Sequence, residues 1–258
     1  MKKSLKVIAL IPARMGSSRF PGKPLEKILG LPMIEHVRRR VEKMGLIDET
    51  YVATCDPEIF DVVVSNGGKA IMTADTHERC TDRIEEAARG LTSDVIINVQ
   101  GDEPMVSSVA IEEVLAPFFQ IEGLKTSCLV YPITDFSELN SENIVKVVLS
   151  RGNNILYLSR SRIPGKDVDN DVKYYKQSGI MAFAKDFLHE FHNLESTPLE
   201  QKESVDMLRV LEHDFSIQGV VSTNETKGVD IPEQISMIEE LIMSDPKQKE
   251  IFERIVKS

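Results

Sequence analysis

The feature that most limits what this chain can fold into is an alternation of short, nearly unbroken apolar runs with segments of helical period. Leu5-Lys6-Val7-Ile8-Ala9-Leu10-Ile11 and Val95-Ile96-Ile97-Asn98-Val99 are the clearest runs. A strand apolar on successive residues must be covered on both faces, as strands of parallel sheets are. Met33, Ile34, Val37, Val41 and Met44 recur at helical spacing behind Pro32, a residue suited to a first helical turn. Thr50–Thr54 and Ala70–Met72 read as further strands. Pro57–Ser65 reads as a helix ended by Asn66-Gly67-Gly68. Ile84, Ala87, Ala88 and Leu91 mark another helix, and so do Ile111, Val114, Leu115 and Phe118. The alternation predicts an α/β fold, a mostly parallel sheet in a three-layer α/β/α arrangement.

From about residue 125 the texture changes. Thr126–Ile133, Ile144–Leu149, Ile155–Leu158 and Gly179–Phe183 look like strands joined without long helices. They predict a smaller, partly antiparallel insertion over residues 125–185 within a single domain spanning 1–258. Residues 161–178 are polar and are expected to form a loop, with Tyr174 and Tyr175 able to line a pocket. A helix over Leu199–Leu211, a strand over Phe215–Val221 and a helix carrying Ile235, Ile238, Leu241 and Ile242 complete the chain.

The 41 acidic against 31 basic residues leave a formal net charge of -10, which argues against nucleic acid or anionic lipid as partner. Any phosphate must therefore be met by a local cluster of cations and backbone donors. The three cysteines, Cys55, Cys80 and Cys128, form no CxxC pair, which speaks against a disulfide framework or a structural zinc site. His36, His189, His192 and His213 show no metal-ligand spacing, and the ten methionines read as core filler. The apolar stretch near the N-terminus is too short to cross a bilayer, and no run approaches about 18 apolar residues. A cytoplasmic protein without membrane insertion is expected.

Three segments carry chemistry. The first, Pro12-Ala13-Arg14-Met15-Gly16-Ser17-Ser18-Arg19-Phe20-Pro21-Gly22-Lys23-Pro24, follows a buried strand. Its small residues let backbone N–H groups approach an anion, and Arg14, Arg19 and Lys23 can neutralise a polyphosphate. It matches neither GxxxxGK[ST] nor GxGxxG. In the second, Gln100-Gly101-Asp102-Glu103-Pro104, a carboxylate just past a strand end can hold Mg²⁺ beside a triphosphate. The third, Gly228-Val229-Asp230-Ile231-Pro232-Glu233, presents Asp230 just before a helix. Each has a plainer reading taken singly: a solvated basic loop, an ordinary turn, and a helix cap at Asp230.

In order and separation these segments resemble the 3-deoxy-manno-octulosonate cytidylyltransferase family (CMP-Kdo synthetases). Further matches are Gly30-Leu31-Pro32-Met33-Ile34-Glu35-His36-Val37, Val145-Lys146-Val147-Val148-Leu149, Tyr157-Leu158-Ser159-Arg160, Pro198-Leu199-Glu200 and Leu208-Arg209-Val210-Leu211. The resemblance covers about residues 7–240. It implies a Rossmann-like nucleotidyltransferase sheet and transfer of CMP from CTP to a 3-deoxy-octulosonic sugar acid, Kdo or its 8-amino analogue, for lipopolysaccharide biosynthesis. It further implies a homodimer formed through the insertion. Arg14, Arg19, Lys23 and Asp102 would be catalytic, and Asp102 and Asp230 would ligate Mg²⁺. The nucleotide would meet Pro12, Ala13, Arg14, Ser17, Ser18, Lys23, Thr54, Asp56, Thr73, Thr81 and Arg83. The sugar acid would meet Gln100, Arg160, Gln177, Met181, Glu200, Asp206 and Met207, with the Arg160 guanidinium suited to a carboxylate.

Departures from the family pattern concentrate in two places. His77-Glu78-Arg79-Cys80-Thr81-Asp82-Arg83 has Cys80 where the family has glycine. Gln177 and Met181 replace a histidine and a tyrosine, and Asp206-Met207 replaces Glu-Gln. Changes on sugar-facing positions beside retained nucleotide and metal motifs predict altered sugar specificity. The alternatives are CMP transfer to a nonulosonate, or a catalytically silent nucleotide-binding homologue.

Overall fold

The computed structural model describes residues 5–17, 19–165 and 172–257. It divides into two compact units, one made of Leu5–Ser108 with Thr226–Ser258, the other of Val109–Glu225.

The first unit opens with β1 (Val7–Ala13), in which every residue is buried. A short hairpin of β2 (Lys27–Ile28) and β3 (Leu31–Pro32) leads into α1 (Met33–Glu42). Then come β4 (Glu49–Thr54), α2 (Pro57–Ser65), β5 (Ala70–Met72), α3 (Cys80–Ala88) and β6 (Val95–Asn98). β1 pairs in parallel with β4 on one side and with β6 on the other, and β4 pairs in parallel with β5. The expected parallel sheet is therefore present, with β1 at the point where strand order reverses. Register aligns Ala13 with Thr54, Thr54 with Met72, and Leu10 with Asn98, so the loops after all four strands leave at one edge. Open α/β sheets bind ligands at that edge, beside the reversal.

The second unit contains α4 (Ser108–Leu115), β7 (Thr126–Pro132), β8 (Lys146–Leu149), β9 (Ile155–Ser159), β10 (Tyr175–Ala184), α5 (Lys185–His192), α6 (Pro198–Glu203), α7 (Met207–Glu212) and β11 (Gln218–Val221). β10 runs antiparallel to both β7 and β8, β8 is antiparallel to β9, and β11 is parallel to β7. The chain then returns to the first unit through α8 (Gln234–Ser244) and α9 (Pro246–Val256).

Several sequence expectations need correction. Phe118 belongs to a 3-10 turn over Ala116–Phe119 rather than to α4, because Pro117 cannot continue an α-helix. The helix expected over Leu199–Leu211 is two helices, interrupted at Ser204, which sits in the left-handed region at φ 54°. The loop expected over 161–178 ends earlier, since β10 begins at Tyr175. Lys176 is tolerated in that strand because Glu138 and Glu225 neutralise its ammonium, at 2.7 and 2.8 Å. Tyr174 is buried with Ile133 and Leu139 instead of lining a pocket. Residues 166–171 of that segment lie outside the described residues. α5 and α9 were not expected, although Phe187, Leu188 and Phe191 keep helical spacing and Asp245 with Pro246 forms a helix start.

Candidate active site

The loop after β1 is shaped by its own backbone and pinned at two places. Ser17 and Gly22 both donate to the Met15 carbonyl at 3.0 Å, and Gly22 takes a φ of 76° that favours glycine. The Met15 N–H donates to Asp56 Oδ2 at 2.7 Å, while Asp56 N donates to Thr54 Oγ1 at 3.1 Å. Phe20 is buried among Ile28, Met33, Val229, Ile238 and Ile242. Met15 is thereby tied to the β4 edge and Phe20 is seated in the core, with Arg14, Arg19 and Lys23 close to these two anchors in the chain.

Those cations line a cavity of about 310 Å³, in the range of small-molecule sites. Of the nucleotide residues implied by the sequence, Pro12, Ala13, Arg14, Ser17, Lys23 and Arg83 line it, together with Arg19, Gln100 and Asp102. Arg14 makes no hydrogen bond or ion pair to any other described residue. Thr54 and Asp56 brace the loop instead of lining the cavity. Thr73 accepts from Arg83 Nη1 at 2.5 Å and is buried, as is Thr81. Ser18 lies outside the described residues. The wall also includes Gly16, Pro24 and Gly101, together with His77, Glu78, Arg79 and Cys80 from the segment that the resemblance implies as the nucleotide-reading loop. The signal for residues 77–80 is also positional: they follow β5, whose end is in register with the other strand ends. His77 pairs with Glu86, which also accepts from Ala74 N at 2.9 Å. Gln100 Nε2 donates to Cys80 Sγ at 3.4 Å.

The turn after β6 and the segment before α8 meet directly. Gly101 must be glycine, because a Cβ there would lie 2.8 Å from the Pro12 carbonyl oxygen. Val229 N donates to the Asp102 carbonyl at 2.9 Å. Lys23 Nζ lies 2.6 Å from Asp102 Oδ2 and 2.9 Å from the Val229 carbonyl, next to Asp230. Asp230 in turn pairs with Arg19 at 3.2 Å. Its carboxylate is not the helix cap that the plainer reading allowed, since Gln234 Oε1 receives the Asp230 and Ile231 N–H groups at 2.6 and 3.2 Å. Burial pushes the Glu103 carboxyl up to about 7; the 2.6 Å bond from Thr226 Oγ1 opposes this and the Asp102 charge adds to it.

Within the second unit, Gln177 Nε2 donates to Met181 Sδ at 3.6 Å, and Met181 stands opposite Cys128 in the β10–β7 register. Burial pushes the Cys128 thiol up to about 12, with a Gln177 hydrogen bond lowering it and the Asp206 charge raising it. Met207 is fully buried. Glu200 is also buried and accepts from Arg209 Nε at 2.8 Å and Nη2 at 2.5 Å, from Ser196 Oγ at 3.1 Å and from Thr197 N at 3.3 Å. Burial raises the pKa of this carboxylate, but the Arg209 guanidinium outweighs that and holds it below the usual range. The Arg160 guanidinium donates to the Glu142, Glu203 and Ser204 carbonyls.

A cation-rich loop and two carboxylates on abutting turns, at the reversal point of a parallel sheet, define the nucleotidyltransferase class. The cytidylyltransferase family model matches residues 8–254, and the chain belongs to that family. It is 40% identical over 247 residues to 3-deoxy-manno-octulosonate cytidylyltransferase of Geobacter metallireducens, covering 92% of this chain and 97% of that protein. It is 42% identical over 240 residues to 8-amino-3,8-dideoxy-manno-octulosonate cytidylyltransferase of Shewanella frigidimarina, covering 91% and 98%. The solved structure of CMP:2-keto-3-deoxy-manno-octonic acid synthetase complexed with CTP superposes with a TM-score of 0.87 at 37% identity, covering 93% of this chain and 99% of the other. No helix among the described residues is long and apolar enough to cross a membrane.

Proposed function

We propose that this chain transfers a cytidylyl group from CTP to the anomeric hydroxyl of 3-deoxy-manno-octulosonate or its 8-amino analogue. The hydroxyl oxygen bonds to the α-phosphorus, the α–β anhydride bond breaks, pyrophosphate leaves with the bonding pair, and the hydroxyl proton passes to solvent. The observation that carries this reading is the Lys23 ammonium, which joins Asp102 to the carbonyl before Asp230 at the wall of an arginine-lined cavity. Such a reaction asks mainly for positioning and charge stabilisation. Arg14, Arg19 and Lys23 would hold the triphosphate and stabilise charge on the departing pyrophosphate.

Asp102 and Asp230 are the residues that would hold magnesium. Their hard oxygen donors, on adjoining turns and already paired with cations, fit that ion. Bound there, magnesium would add positive charge beside the triphosphate and acidify the attacking hydroxyl.

Gln177 and Met181 support an altered sugar specificity, because they stand where the family has a histidine and a tyrosine and the Met181 thioether accepts a hydrogen bond only weakly. Pyrophosphate release from CTP and magnesium with a panel of sugar acids tests the activity. Comparing kcat/KM for the two octulosonates tests the specificity, and a preference of about tenfold or more for the 8-hydroxy sugar removes the amino-sugar reading. Supply of the CMP-sugar to lipopolysaccharide biosynthesis in the cytoplasm belongs to the same proposal. So does a homodimer formed through the inserted strands, supported by Leu156, which is 58% exposed on β9, and tested by sedimentation.

A further inference from the structure

Lys146 on β8 is fully buried, and its ammonium donates to three main-chain carbonyls: Ser141 and Ile144 at 2.8 Å each, and Arg160. A buried ammonium needs acceptors in place of water, and here they are backbone oxygens of the kind that coordinate a metal ion. Burial, then the neighbouring Arg160 guanidinium, hold its pKa below the usual lysine value, while Glu203 and Glu142 pull the other way.

Arg160 continues the chain of contacts. Its N–H donates to Glu203 Oε2 at 2.8 Å, and the other oxygen of that carboxylate accepts from Ser159 Oγ at 2.7 Å. All three guanidinium nitrogens point at carbonyls: Nε at Glu203 (2.8 Å), Nη1 at Glu142 (2.9 Å) and Nη2 at Ser204 (3.3 Å). Ser204 is the left-handed residue between α6 and α7, a conformation that is unfavourable for a non-glycine residue and must be held by its surroundings. Two and three residues further on stand Asp206 and Met207.

We infer that Lys146 and Arg160 are positioning residues for the sugar acid: Lys146 fixes the Arg160 carbonyl, and Arg160 clamps the Glu203–Ser204 link that places Asp206 and Met207. This rests on the assignment of those two residues to the sugar site, and it differs from the direct carboxylate contact implied for Arg160 by the sequence.

The test compares Arg160→Ala, Arg160→Gln and Lys146→Met in steady-state kinetics. The loss in Arg160→Ala is expected as about a tenfold rise in KM for the sugar acid, with KM for CTP within about twofold and a CTP-induced rise in Tm retained. Arg160→Gln, which keeps two amide donors, recovers part of it. Combining Lys146→Met with Arg160→Ala costs no more than the worse single variant, because both break the same strut. Inhibition by an unreactive sugar acid and by its carboxamide should weaken equally. A folded Arg160→Ala protein with unchanged KM overturns the inference, and so does a loss that disappears for the carboxamide, which would mark direct carboxylate binding. If Lys146→Met does not fold, the two Arg160 variants decide. Turnover by the unsubstituted protein tests the activity separately. Should no sugar acid react, faster amide exchange at residues 203–207 in Arg160→Ala supports the clamp, and unchanged exchange overturns it.

Discussion

The Lys23 ammonium sits 2.6 Å from Asp102 Oδ2, although the two residues lie 79 positions apart in the chain. The contact closes the cation-bearing loop onto the turn after β6. It also leaves each group half of what a bound metal–triphosphate complex would require: the carboxylate for the ion, the ammonium for a phosphate. Binding such a complex would separate the pair and give each a stronger partner.

Replacing Asp102 by asparagine should reduce turnover by about a thousandfold, since a neutral amide is a poor ligand for a hard dication. Asp230→Asn should lower it as well and raise the magnesium concentration needed for half-maximal rate. EDTA should abolish pyrophosphate release, and added magnesium restore it. Rates for either variant within about threefold of the starting protein would remove both carboxylates from the mechanism.

Gly101→Ala should damage both stability and activity. The new Cβ would press on the Pro12 carbonyl at 2.8 Å, where the opposing atom is backbone and cannot swing away. A loss of about 2 kcal/mol is expected by urea unfolding, with a larger relative loss in kcat/KM because the two loops must part. An unchanged midpoint would show that the strand ends have slack.

Stability should fall as the solution is acidified below pH 6.5, through His36. This ring is buried, stacks on Phe252 with centroids 5.5 Å apart, and shares a 2.8 Å hydrogen bond with the Ile28 carbonyl. Its pKa drops to about 4, chiefly by burial; the Ile28 bond opposes this, Arg40 and Arg39 lower it further, and Glu35 raises it. Between that value and the unfolded 6.5 the unfolded chain binds the extra proton, so stability rises with pH across this window. The loss should reach about 2 kcal/mol at pH 5. His36→Gln should flatten the slope of unfolding free energy between pH 6.5 and 5, and an unaltered slope would assign it elsewhere.

Glu200→Ala should cost about 3 kcal/mol, because it removes the carboxylate that accepts from the buried Arg209 guanidinium, which lies 4.9 Å from the Phe191 ring. The double variant Glu200→Ala with Arg209→Met should recover much of that. A purely kinetic effect on sugar use with normal Tm would instead make Glu200 a substrate contact.

Local pattern was enough for much of this protein. The continuous apolar runs at Val7–Ile11 and Val95–Ile97 could only be strands covered on both faces, and Met33, Ile34, Val37 and Val41 could only line a helix buried along that stripe. Gly22, Lys23, Gly101 and Asp102 stood out because small and charged residues directly after a buried strand have few other uses. Those signals depend on neighbours within a few residues, so the sequence carries them openly. The pairing of Lys23 with Asp102, of Glu200 with Arg209, and the enclosure of Lys146 by three carbonyls were not written there. The break at Ser204 was hidden as well, since apolar spacing runs on through Leu208. Which charge meets which is settled by strand register and by the order β6-β1-β4, which bring distant loops to one edge. A buried charge is stable only where the assembled fold supplies its partner, and no stretch of chain short enough to show a period contains both.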